Sequence, residues 1–529
     1  MVGPILGQSE RGRPEIGTCR MLGGTGTHAG AEVMRDTLFH IQKSDVSSLQ
    51  AQIRETLVSA ILDRQLGHEE PLPSTRKMAK ILGVSRNTVV LAYQSLIDDG
   101  YLVSRERSGY YVNGQIAEMA RPGAVDRRSP EPRTSKHKGP DWQARFRVQP
   151  AEQENISKPL DWQSIPYPFI YGQVDHNLFP ITEWRECSRQ ALGKRWFGAW
   201  TNDTWENDDP LLVEQIRRRL LPRRGIRVSD DQILITLGAQ NALYILASLL
   251  VTRDTRVAIE DPGYTDVRNI FRLRTDRVTP IPVDDHGLPA DDRLANCDVA
   301  FVTPSHQFPT TSTMPLERRM ELLERAREHD LLLIEDDYEF ETNYVNEPCP
   351  ALKSLDDEER VLYIGSLSKT LFPGLRLGFL VGPPELIREA RALRRLMVRH
   401  APNNNQRTAA LFLSLGHHDS LIRRLHRAYR ARWEVMSEAL AVHFPDAARV
   451  PSFGGTSFWV KGPDGLDSDD LYRRALDAGI LIEPGRIHFD TPADPCPYFR
   501  LGFSSIAEEK IEPGIKLLAE VAKGRAQAA

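Results

Sequence analysis

Residues 366–378 have the sequence SLSKTLFPGLRLG, which begins at the end of a short apolar run that predicts a buried strand. Lys369 follows that strand, hydroxyl side chains flank it, and Arg376 comes seven residues later. The lysine amine can form a Schiff base with an aldehyde, while Ser366, Ser368 and Arg376 hold phosphate oxygens. The segment therefore predicts a site for an aldehyde cofactor that carries a phosphate. A lone S-x-S-K motif also fits a surface lysine in a turn, so the prediction depends on the surrounding sequence.

Short apolar runs recur on both sides of this segment. They lie at Gln232–Thr236, Val257–Glu260, Val299–Pro304, Leu331–Asp337, Val361–Ser368 and Leu377–Val381. Glycine, proline or acidic residues bound each run, and helical patterns separate most of them. Because the apolarity is continuous rather than alternating, both faces of each strand are expected to be buried. This pattern predicts an α/β fold with a large, mostly parallel sheet covered by helices.

The sequence after about residue 400 predicts a smaller α+β subdomain. A long basic helical stretch, His418–Phe444, precedes strand-rich segments at Gly454–Val460, Ile480–Glu483 and Tyr498–Phe503.

Other residues with suitable chemistry follow the predicted strands. Gly238-Ala239-Gln240 precedes a predicted helix over Asn241–Val251, whose first amides attract phosphate. Asp336 can pair with a protonated pyridine nitrogen, and Tyr338 can hydrogen-bond a phenolic oxygen on the same ring. Tyr264 is placed to stack on a planar ring. The alternative for the acidic pair at 336 and 337 is a structural cap at the end of the strand.

A carboxylate-binding residue is predicted in the C-terminal strand region. Arg500 lies within the sequence YFRLGF, and its guanidinium can make a bidentate bond to the carboxylate of a small molecule.

The N-terminal region predicts three short helices. The first covers Leu49–Leu62, with apolar residues on one face. Ser74 caps the second helix, which runs to Leu82, and the tight turn Gly83-Val84-Ser85 leads into the third helix, Arg86–Ile97. Two short helices joined by a three-residue turn that contains glycine describe a helix-turn-helix.

Two strands, Gly100–Val103 and Ser108–Val112, then predict a wing. Polar side chains at the start of the third helix are placed for base edges and phosphates, and Arg105 and Arg107 at the wing tip suit phosphate or minor-groove contact. The predicted DNA-binding residues are Ser74, Arg76, Ser85, Arg86, Asn87, Thr88, Arg105 and Gly109. The alternative is a small helical domain with ordinary helix caps.

Composition and spacing predict four segments. These are a disordered tail over 1–34, a winged helix-turn-helix domain over 35–113, a linker over 114–160 and a cofactor-binding domain over 161–529. Within the linker, Arg121–Arg147 contains eight Lys/Arg, three acidic residues and four prolines, which predicts an extended, semi-stiff segment. Nonspecific contact of this basic segment with DNA phosphate is the alternative to a solvated linker.

Overall composition excludes several classes of protein. The chain has 529 residues, 40% of them apolar, and a formal net charge of −4. It has no apolar run long enough to cross a membrane and no secretion signal. Its five cysteines are scattered and unpaired in spacing, which argues against a disulfide framework or a zinc module. We therefore expect a cytoplasmic protein without a bound metal.

Both regions resemble known families at the motifs quoted above. The stretch LPSTRKMAKILGVSRNTVVLAYQSLIDDGYLVS (72–104) resembles the winged helix-turn-helix of GntR-type bacterial regulators. The C-terminal region resembles the fold type I aminotransferase domain, which binds pyridoxal 5′-phosphate (PLP). The fusion, with the phrases TPSHQFPT (303–310) and IEDDYE (334–339), is similar to the MocR/GabR subfamily of GntR regulators. The resemblance covers about 35–113 and 165–510.

The resemblance implies a role for each motif residue. Lys369 would hold PLP as a Schiff base, Asp336 would face the ring nitrogen, Tyr338 the phenolic oxygen, and Tyr264 would stack on the ring. Ser366, Ser368 and Arg376 would bind the phosphate beside Gly238, Ala239 and Gln240. Arg500 would bind the carboxylate of an effector. Such regulators are expected to be homodimers that bind repeated half-sites in double-stranded DNA.

The chain also departs from the pattern of these families. Asn207-Asp208-Asp209-Pro210 stands where Tyr-Gly-Asp-Pro is common, so a hydroxyl that reaches the phosphate is missing there. Ala239 replaces a frequent hydroxyl residue, Thr311 replaces a glycine, and Phe308 stands where true aminotransferases usually have asparagine. These departures argue for weaker cofactor binding and against full transamination.

The expected function is that of a PLP-dependent transcriptional regulator that senses an amino compound, or PLP itself, through Schiff-base chemistry. A carboxylate or sulfonate on the effector is favoured by Arg500. One alternative is a working aminotransferase with an appended DNA-binding domain. Another is a repressor whose C-terminal domain has lost its cofactor.

Overall fold

A computed structural model describes residues 48–63, 65–106, 108–119, 139–344, 349–445, 447–449 and 454–524. Contacts divide the chain at Pro140 into two compact units. The predicted disordered tail 1–34 lies outside the described residues, as do residues 120–138 of the predicted linker. None of the described helices is long and apolar enough to cross a membrane.

The first unit is a small helical domain with a two-stranded antiparallel sheet. Its helices are α1 (Leu49–Leu62), α2 (Thr75–Leu82), α3 (Arg86–Asp98) and α4 (Gly114–Met119), and its strands are β1 (Leu102–Arg105) and β2 (Gly109–Val112). Gly83 ends α2 in the left-handed region, at φ +63°, which glycine adopts without steric cost. The predicted helix-turn-helix and wing are therefore present.

The second unit contains longer helices and three sheets. Its helices are α5 (Ile181–Ala191), α6 (Phe197–Thr201), α7 (Pro210–Gln215), α8 (Ala239–Leu250), α9 (Thr265–Arg272), α10 (Leu316–Glu328), α11 (Leu352–Leu355), α12 (Pro384–Val398), α13 (Asn403–Ser414), α14 (His417–His443), α15 (Ser468–Asp477) and α16 (Ile511–Ala522). Its strands are β3 (Tyr167–Pro168), β4 (Ile233–Thr236), β5 (Val257–Asp261), β6 (Val278–Pro282), β7 (Val299–Val302), β8 (Leu332–Asp337), β9 (Val361–Ser366), β10 (Gly378–Val381), β11 (Ala448–Arg449), β12 (Ser457–Lys461), β13 (Ile480–Leu481), β14 (Glu483–Pro484) and β15 (Tyr498–Gly502).

Seven strands form the large sheet, in the order β4-β10-β9-β8-β7-β5-β6. All neighbouring pairs are parallel except those of β10, which is antiparallel to both β4 and β9. Every residue of β4, β7, β9 and β10 is buried, as expected for strands with helices on both faces. The predicted large, mixed and mostly parallel sheet is confirmed.

The predicted strands and helices need two corrections. The edge strand β6 was missed because its sequence, VTPIP, contains two prolines, which remove backbone donors and are tolerated at an edge. The helix predicted at Asn241–Val251 is α8, which begins two residues earlier because Gly238, at φ +83°, lets the chain turn directly from β4 into the helix.

The smaller subdomain has an antiparallel sheet in the order β11-β12-β15-β14, packed with α14 and α16. The short strand β13 instead pairs in parallel with β3, far upstream in the sequence. This pairing brings the segment around Tyr171 to the C-terminal strands, next to the carboxyl ends of the large sheet.

Candidate functional site

A cavity of about 260 Å³ lies in the second unit, at the carboxyl ends of the parallel strands of the large sheet. This edge is where open α/β sheets bind ligands. Seven predicted site residues line it: Ala239, Tyr264, Asp336, Tyr338, Ser366, Lys369 and Arg500. Phe308 also lines it, together with five residues that the sequence did not predict: Ile156, Lys158, Tyr171, Asp266 and Thr303.

Lys369 is half-buried and lies three residues after the end of β9. Its Nζ lies 4.3 Å from the centre of the Tyr171 ring and 5.7 Å from that of Tyr338. Burial lowers the pKa of Lys369, although the nearby carboxylate of Glu339 opposes the effect. A lowered pKa increases the share of uncharged amine, which is the nucleophilic form.

The three acidic residues at the end of β8, Glu335, Asp336 and Asp337, lie in different environments. Asp337 pairs with Arg224 at 2.7 Å, and Glu335 accepts backbone hydrogen bonds from α11. Asp336, on the opposite face of the strand, lines the cavity, and its Oδ1 has no hydrogen-bond partner among the described residues. Burial, together with the charge of Asp337, raises the pKa of Asp336 to about 7. Of the three, Asp336 is the one whose carboxyl group faces the cavity.

Tyr264 and Tyr338 are held by hydrogen bonds at the rim of the cavity. The Tyr264 hydroxyl donates to Asp266 Oδ2 at 3.0 Å, and the Tyr338 hydroxyl donates to the backbone oxygen of His306 at 2.9 Å. Both rings pack edge-on against Phe308. Their orientations are therefore fixed without a ligand.

Four residues of the predicted phosphate site do not line the cavity: Gly238, Gln240, Ser368 and Arg376. The Ser368 hydroxyl exchanges two hydrogen bonds with the backbone of Leu377, and the Gln240 amide donates to Asp266 at 3.1 Å. Arg376 donates to the backbone oxygen of Leu237 at 2.9 Å, and Arg376 and Gln240 line a neighbouring open groove. Because local partners occupy these side chains, their phosphate-binding roles remain predictions.

Arg500 is buried against an acidic residue that the sequence did not predict. Its guanidinium forms an ion pair with Glu483 and lies 3.8 Å from the ring centre of Tyr171. His488 Nε2 lies 3.0 Å from the same Glu483 carboxylate. Burial opposes ionisation of Glu483, but the charge of Arg500 outweighs it and lowers the pKa of Glu483. The predicted carboxylate-binding arginine is thus already neutralised by a protein carboxylate.

The predicted DNA-binding residues lie at the starts of α2 and α3 and on the wing. Ser74 caps α2 by accepting a hydrogen bond from the Lys77 amide at 3.3 Å, and Ser85 caps α3 by accepting one from Thr88 at 3.1 Å. Arg76, Arg86 and Asn87 are exposed. The two serines therefore have a structural role, whereas the exposed side chains are free to contact DNA.

The wing residues occupy the hairpin between β1 and β2. The Arg105 guanidinium lies 4.2 Å above the ring centre of Tyr111, which leaves it exposed but oriented. Gly109 has φ +110°, a conformation that favours glycine at this turn. Arg107 lies outside the described residues.

Two family models match the chain. Residues 200–516 match the family described as aminotransferase class I and II, and residues 49–112 match the gntR family of bacterial regulatory proteins. The HTH-type transcriptional regulator TauR of Rhodobacter capsulatus is 41% identical over 91% of this chain and 98% of its own length. The probable rhizopine catabolism regulatory protein MocR of Rhizobium meliloti is 31% identical over 89% of this chain and 93% of its own length.

The fold of the second unit also matches solved enzymes. Kynurenine aminotransferase of Pyrococcus horikoshii superposes with a TM-score of 0.66 at 28% identity, covering 73% of this chain and 99% of the enzyme. The chain belongs to the MocR/GabR-type regulators of the gntR family. The predicted DNA-binding regulator is thereby confirmed over the alternative of an aminotransferase with an appended domain. PLP dependence is a property of the aminotransferase family from which the regulator's second unit derives.

Two of the departures noted in the regulator's sequence have structural explanations, the segment at 208–209 and Phe308. Asp208 pairs with Arg391 and Arg394, at 2.7 and 2.6 Å, and Asp209 caps α7 and pairs with Arg407. This segment therefore supports the fold. Phe308 fills the centre of the aromatic group around the cavity, where its ring contacts those of Tyr171, Tyr264, Tyr338 and His488.

Several site residues of the regulator carried weak sequence signals. Lys158 lies in the segment predicted as a linker, and nothing local distinguishes it from the other basic residues there. Glu483 interrupts the apolar run ILIEP, and an acid inside such a run is a sign of a buried, paired carboxylate. Tyr171 follows the short apolar sequence PFI and could be recognised only from its contacts.

Proposed function

We propose that the second unit of the regulator binds PLP and that its cavity senses a small amino compound. The observation that carries this proposal is the unpartnered carboxyl of Asp336, which shares one cavity with the buried amine of Lys369. A protonated pyridine nitrogen would satisfy that carboxyl group and keep it ionised. The donor set fits the cofactor.

The other residues of the cavity have roles that follow from their positions. When bound, PLP supplies an aldehyde that reacts with primary amines and a ring that withdraws electrons. Lys369 would hold it covalently through Nζ, and Tyr264 would cover one face of the ring. The Ser366 hydroxyl and the first backbone amides of α8, after Gly238, would donate hydrogen bonds to its phosphate.

A switch requires that the effector binds two arrangements of the regulator with different affinities. A difference of about 1–3 kcal/mol is sufficient for a useful response. In our proposal, occupancy of the cavity changes how the segment between the two units presents the DNA-binding domain. A homodimer would place two α3 helices on repeated half-sites, as helix-turn-helix dimers do. PLP supply itself is a second possible signal for the same site.

Replacing Lys369 tests the proposal. Lys369→Ala should remove the visible absorbance of PLP-loaded protein and the covalent label left by borohydride, because no amine remains to hold the cofactor. Binding of Lys369→Ala to a promoter fragment, selected from genomic DNA by the wild-type regulator, should then no longer change when amino compounds are added. Lys194→Ala, at an exposed lysine outside the cavity, is the control and should behave like wild type. An unchanged response of Lys369→Ala to amino compounds would contradict the proposal.

A further inference from the structure

Three cationic side chains surround the ring of Tyr171. Arg500 Cζ lies 3.8 Å from the ring centre, Lys369 Nζ 4.3 Å and Lys158 Nζ 5.7 Å. The two amines also converge above Gly172, since a Cβ placed there would lie 3.1 Å from Lys369 Nζ and 3.6 Å from Lys158 Nζ. Lys158 is therefore next to the amine to which the cofactor is assigned.

The carboxylates near these three cations do not form an ion pair with Lys158 within the described parts of the chain. Glu483 is paired with Arg500 and hydrogen-bonded to His488. Lys158 donates to the backbone oxygen of Tyr171 at 2.5 Å and has no ion pair within the described parts of the chain. The positive charge of Lys158 therefore has no carboxylate partner there, and its amine has donor positions left for an added anion.

The environment of Lys158 keeps that charge available. Burial, and the repulsion from Lys369 and Arg500, lower the pKa of Lys158 to about 8, while the charge of Glu483 opposes this. Lys158 is therefore mostly cationic at pH 7. An added anion would relieve the repulsion and restore a more ordinary pKa.

The segment that carries Lys158 is attached to the wall of the cavity. Gln153 donates to the backbone oxygen of Asn269 at 3.1 Å, and Asn269 donates to that of Glu154 at 2.8 Å. Ile156 lines the cavity and packs against its aromatic residues. These contacts hold Lys158 at the cavity rather than in solvent.

We propose that Lys158 binds the anionic end of the amino effector, so that the site selects short amines with a carboxylate or sulfonate. This inference rests on the proposed function and assigns to Lys158, rather than to the already paired Arg500 alone, the choice of effector. It also places in the ligand site a residue from the segment that the sequence predicts as a linker.

The first test compares probes that differ at one end. PLP-loaded wild type, Lys158→Met and Lys158→Arg are titrated with 4-aminobutanoate, 3-aminopropane-1-sulfonate and 4-aminobutan-1-ol, while the visible absorbance of the cofactor is followed. Lys158→Met should reduce the preference for the two acids over the aminoalcohol by at least about tenfold, because a charge-assisted hydrogen bond is lost. Lys158→Arg should keep part of it. Lys516→Met, at an exposed lysine of α16, is the matched control and should keep the full preference.

An unchanged preference in Lys158→Met would overturn the inference. So would an equal loss of affinity for all three probes, because that result describes a structural role.

A second test separates the inference from the proposed function. Propane-1-sulfonate, which has no amine, is titrated by calorimetry into cofactor-free wild type and Lys158→Met. Binding that is lost in the variant supports the anion site even if no amine ever alters the cofactor spectrum, which would defeat only the proposed function. Equal binding to both proteins, or none to wild type, would overturn the role of Lys158.

Discussion

Asp336 faces the cavity with a carboxyl oxygen that has no hydrogen-bond partner among the described residues, and a group of opposite charge would satisfy it. Asp337 and Glu335, its neighbours on the same strand, are satisfied by Arg224 and by the α11 backbone. The alternation of side chains along a strand separates these two structural acids from the one that faces the cavity. In the cofactor-free protein, Asp336 keeps its proton to a higher pH than an exposed aspartate, since burial and the charge of Asp337 raise its pKa to about 7.

This raised pKa predicts how stability depends on pH. Because the folded protein binds the Asp336 proton more tightly than the unfolded chain does, the stability it contributes is complete below about pH 4 and is lost as the pH rises through about 7. Asp336→Asn removes this loss, so the cofactor-free variant should exceed wild type at pH 8 by on the order of 3 kcal/mol, and by much less at pH 5. Urea unfolding at the two pH values measures the difference.

With PLP bound, wild type should be more stable than Asp336→Asn at pH 8, because the asparagine amide cannot neutralise a protonated ring nitrogen. Asp285→Asn, at an exposed aspartate outside the cavity, should keep the wild-type pH dependence. Parallel stability curves for wild type and Asp336→Asn would show that Asp336 is ionised or solvated in the folded protein.

The third helix shows how one element divides its faces between core and ligand. Val89, Ala92, Tyr93 and Leu96 of α3 are buried, and the Tyr93 hydroxyl donates to Pro73 at 2.9 Å. Arg86 and Asn87, in the first turn at the capped N-terminus, are exposed. The core of the first unit therefore does not depend on Arg86 and Asn87, whereas the cap at Ser85 does support the helix.

Arg86→Ala should weaken binding to the selected promoter fragment by about tenfold, with no change in melting temperature, because the side chain is exposed. If Arg86 contacts a phosphate, the slope of log affinity against log salt should also fall by about one. Fluorescence anisotropy at several salt concentrations measures both quantities. Gln94→Ala, on the exposed face near the other end of α3, is the matched control. Equal losses in the two variants would argue against recognition by the N-terminus of α3.

The elements that sequence alone predicted are those defined by local burial. The apolar runs around β4, β5, β7, β8, β9 and β10 were recognised because both faces of each strand are buried, and α1 was predicted with the bounds that it has. The prolines of β6 and the two-residue pairing of β3 with β13 carry no such local signal. The residues at the strand ends could therefore be predicted from the sequence. The residues that tertiary contacts bring to those strand ends, such as Lys158 and Tyr171, could not.

At the scale of the whole molecule, the cavity is assembled from distant parts of the sequence. Lys158 precedes the large sheet, and Glu483 and Arg500 belong to the C-terminal subdomain. Prolines near Lys158 favour an extended linker, and tertiary contacts with Tyr171 and Asn269 override that local preference. Likewise, the Glu483 pair that neutralises Arg500 forms between strands β14 and β15 and depends on their register.

The two units have separate hydrophobic cores, which predicts that a ligand of one unit leaves the intrinsic stability of the other unchanged. The buried cluster of the first unit spans Ile53 to Val112, and the clusters of the second unit begin at Phe169. PLP at a hundred times its dissociation constant should stabilise the second unit by about 2.7 kcal/mol. Hydrogen exchange of the full-length protein, with and without PLP, should show slower exchange in peptides from 200–516 and unchanged exchange in those from 49–112. Lys369→Ala should abolish the difference. Equal protection of both regions by PLP alone would mean that the cofactor already couples the units before any effector binds.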